Sequence, residues 1–219
     1  MIDPVLLSEV MLPEGHPRAG QSCPVFGFVI HHPQGPVLVD TGVGSGHEGV
    51  DRLFQPIHHP LDRVLGSVGI RPEEVVMVVN SHLHFDHCGN NRAFPGAPLV
   101  CQRAEYDLAH QSRYTISQWV DFPGARWQLV EGQADVFPGV TVLPTPGHTP
   151  GHQSVVVQDG SRLQVIAAQA VYNPEELDAE TSSEPLSFRE AEATSASARE
   201  VKALRPSVVY FSHDPRRWP

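Results

Sequence analysis

His82, His84, Asp86 and His87 fall within six consecutive positions, directly after the apolar run Val75 to Asn80. Their side chains are of the types that hold divalent metals. Side chains along a strand repeat every two residues, so the imidazoles of His82 and His84 point to one side and can reach the same ion. Asp86 and His87 come as the chain turns and can aim at a second position beside the first. A lone His-x-His is common. His-x-His-x-Asp-His after an apolar strand, with further histidines at later strand ends such as His213, is a specific signal of metal binding. The competing reading is a polar turn that happens to be rich in histidine. Ions held this way act as Lewis acids and generate hydroxide near neutral pH, so the expected chemistry is hydrolysis.

A strand that presents such a motif needs a sheet around it. Val25 to Ile30 and Pro36 to Asp40 read as a hairpin, with Gly35 supplying the bend of the His-His-Pro-Gln-Gly turn. Gly42 to Pro60 is rich in Gly, His and Pro without a clear period and reads as a loop, flap or lid. Leu61, Val64, Leu65 and Val68 recur at helical spacing up to Gly69. Val75 to Asn80 has the continuous apolar character of a strand buried on both faces. Leu99 to Cys101 predicts a short strand and Arg103 to Gln111 a helix. Trp127 to Val130, Val140 to Leu143, Ser154 to Gln158 and Leu163 to Ala167 are strands between Gly, Pro and Asp turns. Phe188 to Leu204 carries a helical pattern, and Ser207 to Phe211 is a closing strand that leads to His213. No repeat, low-complexity run or linker is visible, so residues 1–219 are expected to form a single domain. Strands in both halves with helices between them suggest sheet packed on sheet with helices outside, although periodicity alone fits an open α/β sheet as well.

A chain of 219 residues can bury roughly 70% of its unfolded surface without a disulfide. Cys23, Cys88 and Cys101 fit neither a CxxC pair nor a secreted framework and read as reduced thiols of a cytoplasmic protein. Met1 to Val10 lacks a basic start followed by an apolar core, and no apolar run is long enough to cross a bilayer. A soluble protein without a membrane partner is expected. Fifteen basic residues against twenty-five acidic ones give a net charge of -10, which repels phosphate backbones and argues against nucleic acid as a partner.

Ser81-His-Leu-His-Phe-Asp-His87 resembles the signature of the metallo-β-lactamase superfamily. Leu38-Val-Asp-Thr-Gly42 resembles that family's early Asp-Thr-Gly turn, Thr145-Pro-Gly-His-Thr-Pro-Gly-His-Gln-Ser154 the segment with its third metal histidine, and Phe211-Ser-His-Asp214 its last ligand segment. Cys101-Gln-Arg-Ala-Glu-Tyr106, Pro138-Gly-Val140 and the His-Gln-Ser run are most similar to the N-acyl homoserine lactonases of that superfamily. The resemblance implies an α/β fold, an αββα sandwich of two mixed sheets flanked by helices, with the site at one edge. It also implies two divalent ions, one held by His82, His84 and His148 and the other by Asp86, His87 and His213. Zinc is the first expectation, and manganese or iron also accept such ligands.

One departure from that pattern stands out. The lactonase-like chains place an aspartate between the two ions and a tyrosine three residues later; Ile166-Ala-Ala-Gln-Ala-Val-Tyr172 puts Gln169 at the first position and Tyr172 at the second. A neutral amide can ligate one ion but cannot offer a charged oxygen to each of two. One ion instead of two is the alternative that Gln169 raises. A shifted register would put Asp159 or Asp178 in its place, but the first sits in a Gln-Asp-Gly-Ser turn and the second in an acidic, helix-like stretch.

The function implied is opening of a lactone of the N-acyl homoserine type by metal-bound hydroxide. Tyr172 would steady the oxyanion and Asp86 would carry a proton to the leaving alkoxide. Asp40 would orient a metal histidine through its carboxylate. His152, four residues after His148, reads as structural, His31-His32 and His58-His59 as solvated, and Cys88 as a small buried hydrophobe more than a soft ligand. Phe26, Phe28, Tyr106, Tyr114 and Trp119 could line an acyl pocket, though such residues usually belong to the core. Two rivals stand beside the lead: a thioester hydrolase resembling glyoxalase II, and a metal-binding protein without turnover, which Gln169 alone favours. The 42–60 arm, if exposed, could serve a homodimer.

Overall fold

The computed structural model describes residues 1–111, 114–182 and 187–219. The first half runs β1 (Ile2–Met11), β2 (Ser22–Ile30), β3 (Val37–Val39), α1 (Glu48–Phe54), β4 (Ile57–His58), α2 (Leu61–Gly66), β5 (Met77–Val79) and α3 (Phe85–Cys88). It continues through β6 (Leu99–Gln102), α4 (Arg103–Ala109), α5 (Ser117–Val120) and β7 (Trp127–Val130). The second half holds β8 (Ala134–Phe137), β9 (Val140–Pro144), β10 (Gln153–Asp159), β11 (Arg162–Ala168), α6 (Pro174–Ala179), α7 (Phe188–Ala203) and β12 (Val208–Phe211).

These strands form two mixed sheets. One has seven strands in the order β4-β1-β2-β3-β5-β6-β7, the other five in the order β12-β11-β10-β9-β8. The β1–β2–β3 end is antiparallel and the β3–β5–β6–β7 end parallel. In the smaller sheet only β11 and β12 run parallel.

Side-chain alternation explains why the sheets stack. Val37 and Val39 face inward, where they meet Val140, Val142, Val155 and Ile166 of the other sheet. Leu38 between them faces outward and packs with Leu65 and, beyond it, Leu61, Val64 and Val68 of the α2 region. On the far side Val165, Ala167, Val209 and Phe211 pack against Leu177, Ala198 and Val201 of α6 and α7. The result is helix, sheet, sheet, helix, the expected sandwich. No helix among the described residues is long and apolar enough to cross a membrane. All three cysteines are free and buried.

The expected hairpin forms with Phe28 opposite Val39, and Gly35 takes a left-handed φ of +119°. Gly42 to Pro60 is not the irregular flap read from its composition. His47 caps α1 by accepting from the Val50 amide at 3.2 Å, β4 pairs with Ser8 and Glu9 of β1, and the Phe54 ring lies 4.3 Å from that of Phe85. A capped helix and an edge pairing thus settle a segment whose glycines and prolines hid both. Of the paired histidines, His58 is exposed as expected, whereas His31 Nε2 lies 2.7 Å from Asp3 and His59 Nε2 3.5 Å from Glu9.

Candidate active site

The site lies where the ends of β3, β5, β9, β11 and β12 come together. β5 stops at Val79, and Asn80 and Ser81 lead into His82 and His84 before the single turn of α3 carries Asp86 and His87. From the smaller sheet, the turn between β9 and β10 brings His148, the end of β11 brings Gln169 and Tyr172, and the end of β12 brings His213. Gly147 and Gly151 flank His148. A side chain at Gly147 would collide with Thr194, and one at Gly151 with Glu105, so this turn fits only because both lack one.

Two sets of three ligand-type atoms converge: His82, His84 and His148 in one, Asp86, His87 and His213 in the other, each set lying within 4.8 Å. In the first, His84 Nδ1 lies 3.1 Å from His82 Nε2 and 3.0 Å from His148 Nε2. In the second, Asp86 Oδ2 lies 3.5 Å from His87 Nε2 and 3.7 Å from His213 Nε2. The rings of His82 and His87 are 4.0 Å apart, so the sets are neighbours.

Each ring is turned by what its other nitrogen touches. His87 Nδ1 donates to Asp40 Oδ2 at 2.8 Å, and the same carboxylate accepts from the Ser81 amide and hydroxyl at 2.8 and 2.7 Å. His213 Nδ1 donates to the Pro24 carbonyl at 2.7 Å. His82 Nδ1 lies 3.0 Å from the Ser81 hydroxyl, and His148 Nδ1 3.2 Å from that of Tyr172. Asp40 itself is held in the left-handed region at φ +59°, a strained conformation for a non-glycine residue beside the site.

The electrostatics of the two sets differ. Burial lowers His82, His84 and His148 below the ordinary histidine range, His84 to about 4. Burial acts the same way on His87, but Asp86 and Asp40 outweigh it and push that ring up to about 10. Burial would raise Asp86, yet His87, His213 and His84 hold its carboxyl well below the usual range. A proton held so firmly marks a place where positive charge is favoured.

Gln169 and Tyr172 act as a pair. Gln169 is 6% exposed; its Nε2 donates to the Tyr172 hydroxyl at 2.8 Å, while its Oε1 is buried without a hydrogen-bond partner, as is His87 Nε2. His152 belongs to neither set. Its Nδ1 lies 3.0 Å from the Thr145 carbonyl, its Nε2 accepts from the Gln169 amide at 3.2 Å, and burial lowers it to about 3. It therefore anchors the backbone that presents Gln169. Cys88 Sγ donates to the Leu83 carbonyl at 3.4 Å, and burial raises its thiol far above the ordinary range.

Glu105 is the residue whose role the sequence hid. This fully buried carboxylate accepts from the Leu83 amide at 2.8 Å, the Thr149 hydroxyl at 2.7 Å and the Tyr114 hydroxyl. It thereby ties the His82–His87 segment of one sheet to the His148 turn of the other. Its only signal was its place inside the Gln-Arg-Ala-Glu-Tyr run. Tyr114 and His84 also border an apolar cavity of about 580 Å³, shared with Val50, Leu53, Phe54, Phe85 and Ile116. Of the aromatics expected there, only Tyr114 lines it; Phe28 lies in the core between the sheets.

With this geometry goes a match of residues 21–213 to the family model described as the metallo-beta-lactamase superfamily. The chain belongs to that superfamily. Like its members it is a metallo-hydrolase. It is 33% identical over 207 residues to an N-acyl homoserine lactonase of Bacillus cereus, covering 87% of this chain and 81% of that one. Its fold is similar to a substitution variant of AiiA from B. thuringiensis with N-decanoyl-L-homoserine bound at the active site. That likeness has a TM-score of 0.81 at 26% identity and covers 98% of this chain and 93% of the other. A structure of an N-acyl homoserine lactone hydrolase, with the product N-hexanoyl-L-homoserine bound at its catalytic metal center, is similar at a TM-score of 0.79 and 26% identity, covering 98% and 92%.

Proposed function

We propose that residues 1–219 act as a single domain that hydrolyses the ring ester of an N-acyl homoserine lactone, with two divalent ions, zinc first among them, as resident cofactors. His82, His84 and His148 would hold one ion and Asp86, His87 and His213 the other. The donor set fits such ions: one group offers three imidazole nitrogens, the other two nitrogens and a carboxylate oxygen, and His87 Nε2 and Gln169 Oε1 are buried without hydrogen-bond partners. When bound, the ions would polarise the ester carbonyl and make water nucleophilic near neutral pH.

The observation that carries the choice of substrate is the apolar cavity that shares His84 with the metal set. An acyl chain lying among Phe54, Phe85 and Ile116 would leave its amide and lactone ring at the histidines. Tyr172 would donate its hydroxyl proton to the carbonyl oxygen as negative charge builds there, oriented by Gln169 and His148. Asp86, ionised at rest, would take up the proton released by the attacking water and pass it to the alkoxide formed on ring opening. Asp40 would keep a proton of His87 on Nδ1, so that Nε2 is the nitrogen that gives up its proton to an ion.

Proton release by the metal-loaded protein, over homoserine lactones of increasing acyl length, simple lactones and a glutathione thioester, tests this reading. Opening of the lactones, with kcat/KM rising as the chain fills the cavity, is the expected result. Turnover of the thioester alone, or silence on the whole panel with ions bound, would overturn it. Asp86→Asn should lower kcat by about a hundredfold or more at full metal occupancy. Normal turnover would remove Asp86 from the proton step.

A further inference from the structure

The two sets of ligand-type atoms are unequal in charge and in what stands behind them. Around the Asp86, His87 and His213 set the structure places two carboxylates, Asp86 within it and Asp40 against His87. Behind the His82, His84 and His148 set, His82 Nδ1 meets the hydroxyl of Ser81, which itself donates to Asp40, and His148 Nδ1 meets the hydroxyl of Tyr172. Gln169 has a buried oxygen without a hydrogen-bond partner, and it brings no charge. Its nitrogen donates to the hydroxyl of Tyr172, an orientation that leaves Oε1 for a cation.

We propose that the two ion positions fill in order, the Asp86–His87–His213 position first and the three-histidine position second and more weakly, because Gln169 supplies a neutral oxygen where a carboxylate would balance the second ion. This deepens the two-ion reading above and rests on it. The first ion meets two buried carboxylates in a medium where charge is poorly screened. Once it is seated, its own charge has largely met theirs. The second ion would then meet three neutral nitrogens and one amide oxygen, beside a cation already held by the neighbouring set, whose His87 ring centroid lies 4.0 Å from that of His82. Repulsion between the cations is the term that Gln169 leaves uncompensated.

The test is calorimetric titration of zinc into the metal-stripped full chain, with metal content after gel filtration as the second readout. Two resolved steps are expected, the second at least about tenfold weaker. His148→Ala should remove the weaker step and leave the stronger unchanged, and His213→Ala should do the reverse. Gln169→Asp should tighten the second step by about tenfold or more. Should that variant not fold, as judged by circular dichroism, the two histidine variants still decide the order. Two ions entering in one step of equal affinity, or loss of the stronger step in His148→Ala, would overturn the proposal while leaving the two-ion reading in place. Absence of zinc binding altogether would defeat both.

Discussion

The seven-stranded and five-stranded sheets supply the site in opposite ways. The larger sheet delivers His82, His84, Asp86 and His87 from one strand end and its following turn, with Asp40 at the adjacent end of β3 bracing them. The smaller sheet delivers His148, Gln169 and His213 singly, from three strand ends far apart in sequence, each braced by something different. Both sheets place a non-glycine residue in the left-handed region at the point of delivery, Asp40 at φ +59° and Ala168 at φ +52°. A strand that must stop and turn its next side chain toward a common point appears twice, built from unrelated residues.

The strongest way to break this arrangement is at the tie between the halves. Glu105→Gln turns an amide nitrogen toward one of the three donors that now meet a carboxylate, and the unfolding free energy of the metal-free protein should fall by about 3 kcal/mol in urea. An unchanged midpoint would mean that Leu83 and Thr149 are held by other contacts. Next comes the brace within the larger sheet. Asp40→Asn should weaken zinc binding by about tenfold to a hundredfold in a chelator competition, and no weakening would mean that His87 is oriented without its partner.

The smallest effect belongs to the brace within the smaller sheet and shows as pH dependence. Burial lowers His152 to about 3 in the folded chain, whereas the unfolded chain takes up its proton near the ordinary histidine value of about 6.5. The unfolded state thus binds more protons between those values, so the contribution of His152 is complete above the upper one and is lost progressively as pH falls toward the lower. His152→Gln should flatten the acid side of the stability curve measured on the metal-free protein between pH 7.5 and 5. An identical slope would assign the acid sensitivity to other histidines.

The same contrast explains what the sequence made legible. Four ligand-type side chains within six positions after an apolar strand are hard to mistake, because strand geometry alone puts two on one side. The histidines and Gln169 of the smaller sheet have no such local pattern: His213 stands out by its place at a strand end, while the sharing of His148 and His213 between two sets and the place of Gln169 come from the resemblance. Glu105 looked like an acidic residue in the first turn of a helix, since nothing local reveals that Leu83 and Thr149 point their donors at it. β1 escaped notice because Asp3, Pro4 and Glu9 interrupt its apolar positions, yet it pairs with β2 along its whole length apart from one bulge. α1 was hidden by the Gly, His and Pro of its flanks, whereas the acidic, helix-like stretch around Asp178 is α6, opened by the Asn173 cap and Pro174.

The sharing of each ligand-type set between the sheets has a mechanical side. His82 and His84 stand on one sheet and His148 on the other; Asp86 and His87 likewise face His213. An ion seated in either set would be a rivet through the sandwich, joining stretches of chain that no disulfide connects. The unfolded chain loses that rivet, so the melting temperature should climb with free metal, by the equivalent of about 2.7 kcal/mol at a hundredfold excess over Kd. Starved of metal, such a molecule would lose persistence along with chemistry, and its lifetime would become a reading of the supply around it.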